Sequence, residues 1–143
     1  MKIKFFFNDT LISLSNRVKL KQHLSDIFTD EGKPLSTLSF IFCTDKYLHA
    51  INLEFLSHDD YTDIITFSLA EPESPIAGEI YISTDRIREN AVKNKVTINN
   101  ELHRVLFHGA LHLCGYKDKT NKDKAIMTSK EDYYLSKYFK QHQ

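Results

Sequence analysis

The 143-residue sequence predicts an α+β fold: a single domain over residues 1–143, with a four-stranded mixed β-sheet packed by about five helices. Three observations point there. Strand-like and helix-like stretches follow one another in the order βαβαββααα. Two β-branched stretches near the middle are joined only by the proline-rich link Glu71-Pro72-Glu73-Ser74-Pro75, which makes them antiparallel neighbours. The stretch from Thr97 to Cys114 is apolar on nearly all sides, the texture of a helix buried against a sheet rather than of a surface helix.

Each element has its own local cause. Lys2–Asn8 is rich in aromatics and ends in the turn signal Asn8-Asp9, which predicts a strand. From Leu14 to Phe28 the spacing is helical, with Leu14, Val18, Leu24, Ile27 and Phe28 on one face and Asp30-Glu31-Gly32 as the stop. Pro34 marks a connector. Leu38–Cys43 is a continuous apolar run of strand length and predicts a central strand. Thr44 or Asp45 caps a helix carrying Tyr47, Leu48, Ile51, Leu53 and Phe55. The polar loop Ser57-His58-Asp59-Asp60 leads to a strand over Thr62–Leu69, and Gly78–Ser83 returns with Ile80 and Ile82 on one face. Three helices close the chain: the charged Asp85–Lys93, the apolar Thr97–Cys114 and the amphipathic Asn121–Phe139.

Composition narrows the class. The chain is 41% hydrophobic and holds only 4 Gly and 3 Pro, which excludes disordered, collagen-like and low-complexity classes. Its 19 basic and 19 acidic side chains cancel, which excludes a generally basic nucleic-acid coat protein but not a local basic patch. Cys43 and Cys114 are too few for a disulfide scaffold and lie among apolar residues, so reduced thiols and a cytoplasmic location are expected. The opening Met1–Asp9 has too short an apolar run for a signal peptide, and no stretch approaches the roughly 18 apolar residues of a membrane span.

The chemistry concentrates after Leu106. His108 and His112 stand four residues apart on one helix, so both imidazoles leave the same face one turn apart, a spacing that suits one metal ion. Two imidazoles on so apolar a helix need partners, and a metal supplies them. Gly115 accepts the left-handed conformation that stops a helix and turns the chain back. Asp118, three residues on, then returns to the histidine face as a third ligand. Two nitrogens and one oxygen leave a fourth tetrahedral position for water, and Zn²⁺ is the expected ion, with Fe, Mn or Ni compatible in other geometries. Cys114 points about 200° round the helix from His112 and reads as core.

Arg104, one turn before His108 on the same face, is expected to act in catalysis as a phosphate contact; the alternative is a surface charge. His103 lies off that face and reads as structural. Basic residues gather at Arg86, Arg88, Lys93 and Lys95, and again at Lys117, Lys119, Lys122 and Lys124, where they form either an RNA-attracting rim or a solvated loop. Tyr116 either stacks a base or caps the core. Tyr133, Tyr134, Tyr138 and Phe139 read as packing.

Three segments resemble one family. His108-Gly109-x-Leu111-His112-Leu113-x-Gly115-Tyr116 is similar to the His-Gly-x-Leu-His-Leu-x-Gly-Tyr-Asp-His signature of the YbeY endoribonucleases, bacterial rRNA maturation factors. Ile51-Asn52-Leu53-Glu54-Phe55-Leu56 through Thr62-Asp63-Ile64-Ile65-Thr66-Phe67 resembles a second family stretch, and Gly78-Glu79-Ile80-Tyr81-Ile82-Ser83 a third, in the family's order and spacing. The resemblance implies a mixed four-stranded sheet with helices. It also implies metal-dependent cleavage of single-stranded RNA in 16S rRNA 3′-end maturation and ribosome quality control, with the small ribosomal subunit as partner and no membrane. Two departures stand out. The family's third histidine is Asp118 here, preceded by Lys117 in place of an aspartate. The family's arginine after the aromatic residue falls on Leu56, which cannot hold a phosphate; His58, two residues on, is the nearest replacement.

Two other readings fit the same residues. One is a metal hydrolase of a peptide or another phosphoester. Gly109 stands where His-Glu-x-x-His peptidases carry their general base, which weakens the peptide branch and leaves the base of an RNA reaction unassigned. The other is a non-enzymatic ribosome-associated factor with a structural metal.

Overall fold

The computed structural model describes residues 2–57 and 62–140. The element order is β1 (Ile3–Phe7), α1 (Arg17–Asp30), β2 (Leu35–Cys43), α2 (Asp45–Leu56), β3 (Ile64–Ser68), β4 (Ile76–Ser83), α3 (Thr84–Lys93), α4 (Ile98–Leu113) and α5 (Asn121–Lys140). The four strands form one mixed sheet in the order β1-β2-β4-β3. β1 and β4 flank β2 in parallel, and β3 pairs with β4 antiparallel, as the proline-rich link requires. The α+β single-domain architecture expected from the sequence is the one observed. His58 lies outside the described residues. Among the described residues no helix is long and apolar enough to cross a membrane.

Local signals explain the boundaries. The Thr44 side chain accepts from the Tyr47 N–H at 3.2 Å and starts α2. The Ser83 and Thr97 side chains do the same for α3 and α4. Gly115, at φ +110°, ends the turn after α4 in a conformation that L side chains rarely adopt. One expectation fails. Val18 is 80% exposed, and Leu14, though buried, precedes the helix. The buried face of α1 is Leu20, His23, Leu24, Ile27 and Phe28; Val18, nine residues before Ile27, is turned about 180° away from it at 3.6 residues per turn.

The main core lies on one face of the sheet, where Leu38, Phe40, Ile80 and Ile82 meet α1, α4 and α5. A smaller cluster of Cys43, Leu48, Ile51 and Ile65 lies under α2. Both cysteines are buried free thiols, and burial pushes each up to about 12. His103 is buried as expected, with Nδ1 2.6 Å from the Asn99 carbonyl and its ring stacked on Tyr138. Tyr134 and Tyr138 are core residues of α5, whereas Tyr133 is exposed.

Two glycines set how α4 sits on the sheet. A Cβ on Gly109 would meet Ile80 Cδ1 at 2.9 Å and Ile64 Cδ1 at 3.2 Å, and a Cβ on Gly78 would meet Leu113 Cδ1 at 2.8 Å. A glycine in the helix thus faces a large residue of the strand, and one turn on a large residue of the helix faces a glycine of the strand. This reciprocal fit fixes the height of α4 against β4, and with it the height of His108 and His112 above β3. Gly109→Ala gains about 1 kcal/mol of helix propensity but overpacks a fully buried isoleucine, at a cost of roughly 1–3 kcal/mol. The expected net result is a loss of about 1 kcal/mol in urea denaturation; a gain in stability would contradict the close approach.

Candidate functional site

His108, His112 and Asp118 reach one place from two segments: the histidines from the last two turns of α4, and the aspartate from the loop that Gly115 turns back. His108 Nε2 faces Asp118 Oδ2 at 3.4 Å. Two adjoining pockets of about 220 and 390 Å³ share Asp63, Ile64, His108 and Asp118, and His112 lines the larger one. The expected trio therefore shares a pocket. Among the described residues, no three His, Cys, Asp or Glu side chains converge into a ready metal cluster. Asp118 is 47% exposed and His112 is exposed.

The other nitrogen of His108 has a partner that sequence reading missed. Nδ1 lies 2.7 Å from Glu131 Oε2, on α5. Since a carboxylate only accepts, Nδ1 carries the proton in the neutral ring and Nε2 is left with its lone pair toward Asp118. This carboxylate–histidine pairing is the arrangement that orients and strengthens an imidazole ligand. Glu131 is only 8% exposed, and its second oxygen accepts from Arg104 Nη1 at 2.8 Å. Arg104 Nη2 donates to Asp132 at 2.6 Å.

Arg104 thus faces the pocket, as its place on α4 suggests, but two of its nitrogens already hold carboxylates. A phosphate would compete with Glu131 and Asp132 for them. The geometry gives Arg104 the task of holding Glu131, which in turn holds His108.

The pocket is rich in acid. Asp63, Glu101, Asp118 and Glu131 line it, and among the described residues Arg104 is the one fixed cation in the smaller pocket's lining. Burial pushes the Glu101 carboxyl up, and the charges of Asp63 and Glu131 add to that against the lowering by Asn94 and Arg104. Burial lowers the His108 imidazolium, but the Glu131 hydrogen bond and the charges of Glu131, Asp118 and Asp63 outweigh it and leave the group above its ordinary value. The His108 shift reports the negative charge around it, which a divalent cation would relieve, whereas the Glu101 shift is first an effect of burial. Two imidazoles and a carboxylate are a donor set that zinc accepts. By charge and by donor chemistry, the residues present fit a divalent metal.

The remaining expected residues divide. Lys119 lines the larger pocket, and so does Leu56. Lys117, Lys122 and Lys124 are on the surface or close to it. In the other basic group, Arg86 is bound to both oxygens of Asp45 at 3.0 Å each, and Arg88 donates to the Leu11 carbonyl at 2.8 Å. These two arginines are held by structural contacts, while Lys93 and Lys95 are exposed. Tyr116 packs against the core, and its hydroxyl donates to Glu31 at 2.6 Å.

Comparison with known proteins gives a consistent result. The family model for Endoribonuclease YbeY matches residues 5–139. The chain is 48% identical over 134 residues to an endoribonuclease YbeY of Cytophaga hutchinsonii, covering 94% of each chain. It is 43% identical over 127 residues to that of Christiangramia forsetii, covering 89% of this chain and 88% of the relative. Among solved structures it is similar to the solution structure of TM1509 from Thermotoga maritima. There the TM-score is 0.66 at 26% identity, covering 97% of this chain and 90% of that one.

Proposed function

Since the chain belongs to the YbeY endoribonuclease family, we propose that it is a metal-dependent endoribonuclease of single-stranded RNA, with one Zn²⁺ held by His108, His112 and Asp118. The substrate in the cell is ribosomal RNA, at the 16S 3′ end and in ribosome quality control, with the small ribosomal subunit as the cytoplasmic partner. The observation that carries this reading is the orientation of His108: Glu131 takes one ring nitrogen, and the other faces Asp118 inside a carboxylate-lined pocket.

When bound, the metal would supply a Lewis acid that polarises a phosphoryl oxygen or acidifies a water. The chain's own residues do the positioning. Glu131 keeps the His108 proton on Nδ1 and the ring in one orientation. Arg104 pairs with Glu131 and holds its second oxygen in place. Lys119 offers the larger pocket a cation for the RNA backbone. Leu56, in the place of the family's arginine, gives that pocket an apolar wall suited to a base or ribose face rather than to a phosphate. Gly109 is pressed against Ile80 and supplies no base, which supports RNA over peptide as substrate.

The test is substrate class. One RNA oligonucleotide is offered as a single strand and as a duplex, beside a panel of peptides. The expected result is cleavage of the single strand, resistance of the duplex and no peptide turnover. Peptide hydrolysis without RNA cleavage would overturn the reading.

A further inference from the structure

We propose that Glu31 is a positioning residue for the site: its carboxylate ties the Asp118 loop and the Glu131 helix to the end of α1. The inference rests on the metal-site reading above and adds what holds that site in register.

Glu31 caps α1, with its backbone N–H on the Ile27 carbonyl at 2.9 Å. Its side chain is nearly buried and works as a hub. Oε1 accepts from the Tyr116 hydroxyl at 2.6 Å. Oε2 accepts from the Tyr134 hydroxyl at 2.5 Å and from Lys130 Nζ at 3.3 Å. Lys130 also lies over the Tyr116 ring, 5.6 Å from its centre. Burial raises the Glu31 carboxyl, but these donors outweigh it and hold the group below its ordinary value, so it stays ionised.

The partners are placed where they matter. Tyr116 is two residues before Asp118, in the segment that follows the Gly115 turn. Asp118 itself is half exposed, so its backbone position depends on what holds the chain on either side. On the far side Thr120 Oγ1 accepts from the Asp123 N–H at 3.0 Å and starts α5. On the near side the Tyr116–Glu31 bond is the side-chain tie. Lys130 and Tyr134 are one helical turn apart on α5 and bracket Glu131, the residue that orients His108. One carboxylate, far away in sequence, therefore fixes both the loop carrying the third ligand and the helix carrying the histidine's partner.

The test is zinc affinity, by competition with a chromogenic chelator, in the full chain and in Glu31→Gln, Tyr116→Phe, Asp118→Ala and the Tyr116→Phe/Asp118→Ala pair. Glu31→Gln keeps the size but turns a pure acceptor into half a donor. Tyr116→Phe removes only the hydroxyl, and serves if the first variant folds poorly. Loss of an outer partner of a metal ligand typically weakens binding about 10–100-fold, and that is the expected result for both single variants. Because Tyr116 is held to act through Asp118, its substitution should cost little further in the Asp118→Ala background. If Glu31→Gln and Tyr116→Phe lose stability yet bind zinc as wild type does, while Asp118→Ala binds it weakly, the positioning role is overturned and the metal reading stands. If wild type binds no zinc, or Asp118→Ala binds it unchanged, the metal reading falls and this proposal with it.

Discussion

Replacing His112 by alanine is expected to reduce RNA cleavage by more than the about 100-fold that marks the upper range for losing an outer partner of a metal ligand, with the fold left intact. The two halves of that expectation have different causes. His112 is exposed at the last turn of α4 and contributes nothing to the core, so its removal should change stability by no more than about 0.5 kcal/mol. It is also one of only two imidazoles that α4 presents to the pocket. Without it, one nitrogen and one carboxylate remain, too few to hold zinc firmly at neutral pH. Urea denaturation and oligonucleotide cleavage on the same preparation separate the two. Loss of activity that merely follows loss of fold would point to a structural histidine instead.

Glu131 should behave in the opposite way, because it serves both the fold and the site. Its carboxylate is buried between Arg104 and His108. Glu131→Ala leaves Arg104 with only Asp132, which is exposed, and leaves the His108 Nδ1 proton unpaired. Breaking a buried pair from one side costs about 3–5 kcal/mol. The lower end applies here, since Arg104 is 30% exposed and keeps its second partner. Glu131→Gln separates the functions. The amide oxygen can still accept from His108, but its NH₂ then faces the donors of Arg104, so the ring is held less firmly. The expected outcome is a smaller stability loss than for alanine and zinc affinity lowered about 10–100-fold. Wild-type affinity in Glu131→Gln would show that the orientation of His108 does not depend on this carboxylate.

Where the sequence was legible, local physics was sufficient. The proline-rich link between Phe67 and Ile80 imposed an antiparallel pair, Thr44 and Thr97 announced helix starts, and the apolar run before Cys43 marked the central strand. The i,i+4 histidines and the glycine that turns the chain back toward Asp118 were visible for the same reason. What stayed hidden depends on how elements pack. Glu131 reads as one more charge on an amphipathic helix until α5 is laid against α4, where it meets His108 and Arg104. Glu31 reads as part of a helix stop until the chain brings Tyr116 and Tyr134 to it. Arg104 reads as a free cation beside the site because its two acidic partners are on another helix. Gly109 reads as a missing base, and only the distance to Ile80 shows it as the contact that seats α4. Val18 misled because it is four residues from Leu14 but two and a half turns from Ile27, so it shares the spacing of a residue outside the helix and not that of the buried face.

One metal ion acting at the α4 histidines is the centre of the proposed activity. Its most direct test removes all metal from the protein and adds zinc back in measured steps while cleavage of a single-stranded RNA oligonucleotide is followed, for wild type and His112→Ala in parallel. The prediction is no cleavage by the stripped wild type, recovery that levels off at one zinc per chain, and no recovery in the variant. Cleavage that survives stripping, or that returns equally in His112→Ala, would contradict it.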